Sequence, residues 1–242
     1  MTDLEDVTRL PSDFDGLVRL FPLPELVVFP HAMQPLHIFE PRYCEMLLES
    51  LASDQLIGMA TLTSGISDLL SQQPKIATTI CIGKIVSHAE TESGHHNILL
   101  VGAKRARIVR ELPLNRSFRM AEVDVYNDVH EPGDPQQRKL LRGALLDAFA
   151  AVIPASANVQ QYLHELMASQ MGLGPITDII SYTLALELNA KLDLLAEANV
   201  EQRAKLLISL LRQITPGGSA DSLLVNPKKL PPNEFPPQFS VN

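Results

Sequence analysis

Along this chain the spacing of apolar residues changes once, from two to near 3.6, and the change divides it into a strand half and a helix half. Gly16–Leu20 opens a first strand. Residues 21–51, FPLPELVVFPHAMQPLHIFEPRYCEMLLESL, then set two apolar runs, Leu26–Phe29 and Leu36–Phe39, between widely spaced prolines. Pro30 and Pro35 carry no N–H, so they limit ladder pairing there to strand ends or an edge. Pro41 fits the first turn of a helix, with Glu40 at its positive end. Tyr43, Met46, Leu47 and Leu51 give that helix one buried stripe over 41–52. Gln55–Leu62 suits a buried strand, and Thr63–Thr78, rich in Ser and Gln, a loop. Thr79–Thr91 reads as a long strand whose interior Gly83 marks a bulge or bend. After a Ser93-Gly94 turn, His96–Val101 returns as a second strand, Gly102 breaks it, and Arg105–Leu112 makes another. Met120–Tyr126 alternates cleanly, Ala121, Val123 and Val125 against Glu122 and Asp124.

From Asp134 the helical period takes over. Asp134-Pro135-Gln136-Gln137 combines an N-cap, a first-turn proline and an amide. Leu141, Leu145, Ala148, Phe149 and Val152 line one face as far as Pro154. A second helix carries Val159, Tyr162, Leu163 and Leu166 and ends at Gly172, where Gly172-Leu173-Gly174 reads as a terminator. Ile176, Ile179, Ile180 and Leu184 mark a third helix and 189–198 a fourth, and Asn199 caps a fifth. The expected fold is α+β: an antiparallel partial β-barrel (pseudo-barrel) lobe at residues 16–131, followed by an α-helical bundle lobe at 132–215. A flexible segment, 1–15, is expected before them and a Pro-rich tail, 216–242, after them, with Phe235 and Phe239 able to dock.

Composition narrows the function. A net charge of −8, without tryptophan or aromatics among the basic clusters, excludes nucleic acid as a partner. Lys104, Arg105 and Arg107 read as a solvated strand, and Arg138, Lys139 and Arg142 as a solvated helix face. No apolar run approaches the ~18 residues of a membrane span. The acidic start is not a signal peptide. Cys44 and Cys81 are too few for a disulfide framework, which points to the cytoplasm.

The search for chemistry finds no enzyme. There is no phosphate-cradling G-x-x-x-x-G-K-[ST] and no G-x-S-x-G elbow. His164-Glu165 begins a zinc-protease motif, but the second histidine position is Ala168. His95 and His96 are adjacent on a strand and face opposite ways, so they do not share an ion. No cofactor or metal is expected. Glu40, Arg42 and Tyr43 are the polar residues of the proline-rich stretch. They either tie the helix start to the barrel or, with Arg42 as a fork for a carboxylate or carbonyl, form a peptide-binding site.

The residues FPLPELVVFPHAMQPLHIFEPRY resemble the opening signature of the Lon-protease amino-terminal domain. CIGKIVSHAE and NILLVGAKRARIVREL resemble its central hairpin, and TDII with AKLDLLAEANVEQRAKLLISLL its closing helices, so the likeness spans roughly 16–214. It implies a pseudo-barrel with a helical lobe that recognises polypeptide substrates, here without ATPase or peptidase. On that basis the partner is an unfolded polypeptide or a protein such as a protease or chaperone, and the chain is an adaptor or sensor in protein quality control. The alternative is a small-molecule-binding regulatory protein of the same fold.

Overall fold

The structure, a computed structural model, describes residues 8–63, 74–133, 135–153 and 157–214. They form two compact units, the first ending at Tyr126 and the second beginning at Asn127. The sequence boundary at 131 falls a few residues after that break. The tail, the centre of the 63–78 loop and the Asp134 cap lie outside the described residues.

The first unit holds β1 (Leu17–Pro24), β2 (Met33–Ile38), α1 (Pro41–Leu51), β3 (Leu56–Leu62), β4 (Thr79–Glu90), β5 (His96–Glu111) and β6 (Arg119–Tyr126). Strand order is β2-β5-β4-β3-β1-β6, and β6 pairs back onto β5, so five strands close a ring and β2 stands at an edge. The pseudo-barrel is therefore present, with one difference from an all-antiparallel sheet: β1 and β3 run parallel, Leu20 beside Gly58 and Pro24 beside Leu62. Parallel neighbours need a crossover, and β2 with α1 supplies it. Both faces of this pair are covered, which is why LIGMAT in β3 is buried throughout. One face joins the core of Val18, Leu20, Leu56, Ala60, Ile80, Ile82, Ala106, Ala121 and Val123. Leu10 and Phe14, from the segment before β1, pack against the same core. The opposite face of β1 carries Phe21, whose ring centroid lies 4.6 Å from that of Tyr43 on α1. It also carries buried Arg19, bonded to Glu49 (3.0 Å), Asp54 (2.9 Å) and Ser53 (2.8 Å).

Gly83 sits at a register shift, as its place in the strand implied. Gly102 does not break the chain: β5 runs straight through it for 16 residues. Its reason for being glycine is a close approach. A Cβ there would lie 2.0 Å from the Phe29 carbonyl oxygen. The Gly102 N–H donates to Ala32 O (2.9 Å) and its carbonyl accepts from the His31 N–H (2.8 Å). Leu26–Phe29 is thus no strand but a buried segment laid across β5. At two other shifts, between Ile85/Ser87 and Ile108/Arg110, the skipped residues Val86 and Val109 are pushed outward and exposed. Arg105, read as part of a solvated strand, is buried.

The second unit comprises α2 (Pro135–Ala150), α3 (Ala157–Ala168), α4 (Leu173–Thr183), α5 (Leu188–Ala196) and α6 (Val200–Gln213). Gly172 does not terminate α3, which stops at Ala168. It is the N-cap of α4, with extended backbone at φ −67° and ψ 172°. Asn199 caps α6 as expected, its side chain accepting from the Gln202 N–H at 2.9 Å. The centre of the bundle is a charge. Arg203 is fully buried and donates to Asp128 (2.8 Å) and to the Glu197 carbonyl (2.6 Å). Its Nε lies 3.2 Å from buried Asp178, off the hydrogen-bond axis. Two of the basic residues of α2 are likewise tied inward, which corrects the solvated-face reading. Arg138 holds Glu201 at 2.8 Å, and Arg142 caps α3 through the carbonyls of Leu166, Met167 and Ser169.

Candidate functional site

The start of α1 opens onto a cleft of about 270 Å³ within the first unit. One wall is Pro22-Leu23-Pro24, where β1 ends, continued by Leu62 and Pro74. A second wall is Glu40, Arg42 and Tyr43. The third is the β5–β6 connection, with Leu114, Arg116, Ser117, Phe118 and Arg119. Proline placement fixes this geometry from the sequence. Pro41 stops β2 from continuing and starts α1, so the polar trio is delivered at a helix N-terminus beside the end of β1.

The three expected site residues therefore come together, in distinct roles. Arg42 donates to Glu40 through Nη2 (2.8 Å) and Nε (3.1 Å), with both side chains about half exposed at 50% and 44%. This pair is local to the helix start; the ion pair that joins α1 to the barrel is at the other end, where Arg19 of β1 holds Glu49. The Arg42 guanidinium also lies 4.5 Å over the Tyr43 ring. Tyr43 is buried against Phe21, and burial pushes its hydroxyl above the ordinary tyrosine value.

The third wall carries no motif, and sequence reasoning passed over it. Its one signal is Phe118, an aromatic between Arg116 and Arg119. Arg119 is consumed by structure, gripping Glu111 with two bonds (2.7 and 2.6 Å) and Pro74 O with a third (2.8 Å). Arg116 pairs with Glu49 and lies 5.7 Å over the Phe118 ring. The result is an apolar floor of prolines and leucines with two half-exposed guanidinium groups at its rim, each above an aromatic ring. Such a surface can hold a chain by burial and by hydrogen bonds. Among the described residues the cleft shows no nucleophile–base pair.

The histidines separate as their positions imply. His95 meets His37 and exposed Phe39 (ring centroids 5.3 and 6.0 Å) at the β4–β5 hairpin tip. His96 is buried and hydrogen-bonded to His88, Nδ1 to Nε2 at 3.1 Å. Among the described residues no three potential ligands converge on a metal position, and no helix is long and apolar enough to cross a membrane.

A ring of strands with a helix-flanked apolar cleft, joined in sequence to a helical unit, defines a binding fold of the pseudo-barrel class. The profile of the ATP-dependent protease La (LON) substrate-binding domain matches residues 18–213. The chain belongs to this family. It is 25% identical over 199 residues to Lon protease of Dictyoglomus thermophilum, an alignment covering 79% of this chain and 24% of that protein. Lon protease of Azospirillum brasilense is 23% identical over 203 residues, covering 84% and 24%. The chain thus spans about a quarter of the length of the Lon proteases it matches. Two solved structures share the fold. The Lon N-terminal domain protein from Xanthomonas campestris superposes with a TM-score of 0.58 at 20% identity, covering 82% of this chain and 99% of that one. The N-terminal domain of Mycobacterium avium complex Lon protease gives 0.61 at 17% identity, covering 82% and 100%.

Proposed function

We propose that this chain is a non-catalytic module that captures polypeptides and works in the cytoplasm as an adaptor or sensor in protein quality control. The observation that supports this reading most is the construction of the cleft. The family's proline-rich opening stretch places Glu40, Arg42 and Tyr43 on the wall of an apolar recess. The rim supplies donors and the floor supplies apolar area, the two components that peptide recognition requires. An ATP-dependent protease or a chaperone is the natural recipient of what it captures.

The test is fluorescence anisotropy of a labelled, permanently unfolded polypeptide titrated with the full chain, beside the same polypeptide folded. Binding of the unfolded form alone supports the proposal. A flat titration with both forms sinks it, and a thermal shift with metabolites would then favour the small-molecule reading.

A further inference from the structure

We infer that the cleft at the start of α1 selects polypeptide segments in which a large apolar side chain stands beside a carboxylate. The inference rests on the polypeptide-capture reading and adds the chemistry of the segment. The protein as a whole carries a charge of −8, yet the cleft lining presents three guanidinium groups and one carboxylate, Glu40, while Glu49 and Glu111 pair with Arg116 and Arg119 from outside the lining. Every nitrogen of Arg119 already has a protein partner, and its side chain is only 10% exposed. Arg42 and Arg116 differ. Arg42 spends Nε and Nη2 on one oxygen of Glu40, which leaves Nη1. Arg116 meets Glu49 through Nη1, which leaves Nε and Nη2. Both side chains are about half exposed, at 50% and 45%, and each is steadied from below by a ring, Tyr43 or Phe118. A guanidinium held over a ring with open donors is set to receive a carboxylate. Apart from Ser117, the remaining lining side chains are apolar, Pro22, Leu23, Pro24, Leu62, Pro74 and half-exposed Leu114, and suit an apolar group. An acid alone would leave that floor wet, and an apolar chain alone would leave the donors without a partner.

The experiment compares labelled peptides identical except for a central Leu-Glu, Leu-Gln or Leu-Lys, titrated with the full chain and with the double variant Arg42→Gln/Arg116→Gln. A peptide of residues 233–242, NEFPPQFSVN, is included because Glu234-Phe235 offers the same chemistry from the chain's own tail. Circular dichroism melts check that the variant is folded. Glu49 keeps Arg19 as a partner and Glu40 is half exposed, so neither substitution strands a buried charge. The Leu-Glu peptide is expected to bind about tenfold more tightly than Leu-Gln, and Leu-Lys more weakly still, the margin of one charge-assisted hydrogen bond. The double variant should bind Leu-Glu and Leu-Gln alike. Equal binding of all three peptides overturns the acid preference and leaves polypeptide capture standing. Persistence of the preference in the double variant overturns this cleft as its source. Binding of the 233–242 peptide alone replaces an external segment with an autoinhibitory contact. No binding of any peptide removes the capture reading itself.

Discussion

At the scale of single residues, three positions carry constraints that their neighbours cannot relieve. Gly102 is the first. The atom a Cβ would strike is a backbone oxygen, Phe29 O at 2.0 Å, and the backbone just after it is held to Gly102 by the His31 and Ala32 hydrogen bonds. Gly102→Ala should therefore cost about 3 kcal/mol, the upper end for overpacking, read as a lowered urea midpoint. Arg203 is the second. Removing it takes the buried cation away from fully buried Asp178 and from Asp128, so Arg203→Met should destabilise by about 3–5 kcal/mol in the same assay. Lys191 behaves in the opposite sense. It is 7% exposed, and its ammonium donates to the Tyr182 carbonyl at 3.2 Å. Burial pushes its pKa from 10.5 down to about 8. The unfolded chain then binds more protons across that interval, so this group's contribution to stability rises with pH from about 8 to about 10.5. Lys191→Met should raise stability at neutral pH by on the order of 2 kcal/mol and abolish the alkaline rise. Urea melts at neutral and alkaline pH check both. Lower stability of the variant at every pH would show that the ammonium holds α5 in place.

Secondary elements depend on pairings as well as on composition, and the β4–β5 hairpin shows how one pair can make stability pH-dependent. The His88–His96 bond needs one imidazole to donate and the other to accept, so it survives with at most one of them protonated. Burial and then the His96 charge hold the His88 pKa below its ordinary 6.5, with Glu90 opposing. Protons therefore bind more readily to the unfolded chain as pH falls through about 6.5, and the hairpin's contribution is lost below that point. The expected result is a Tm that drops between neutral and mildly acid solution, with His88→Asn flattening the curve. The same hairpin shows what the sequence could disclose about elements. Gly83 announced its bulge, and the alternation of Ala121, Val123 and Val125 announced β6, because local sterics and the pleat set both. Gly102 and Gly172 misled for a common reason. A glycine is required alike by a break, by a cap and by the close approach of another backbone, and its neighbours in sequence do not say which. Only Phe29, distant in sequence from Gly102, distinguishes the third case from the first.

Across the whole molecule, long-range assembly decides what can be read in advance. The parallel β1–β3 pair was hidden, because nothing within either strand records which neighbour it takes. The cleft was half visible for the same reason. Its helix wall lies in the proline-rich stretch, where composition draws attention, while its third wall arrives from residues 114–119 through closure of β5 onto β6. Leu114 tests whether that closure serves binding. It lies 48% exposed on the cleft, in a connection outside the strands, so the fold gains little from it. Leu114→Ser should leave Tm and the urea midpoint within about 0.5 kcal/mol of the parent, the usual range for surface changes. The affinity for unfolded polypeptide should fall roughly tenfold, because taking one apolar side chain out of a recess costs about 1–2 kcal/mol. Anisotropy titrations of both proteins, run beside melts, separate the two effects. Unchanged affinity with an unchanged melt would remove the third wall from the binding surface and move attention to the exposed Phe39–His95 cluster at the hairpin tip.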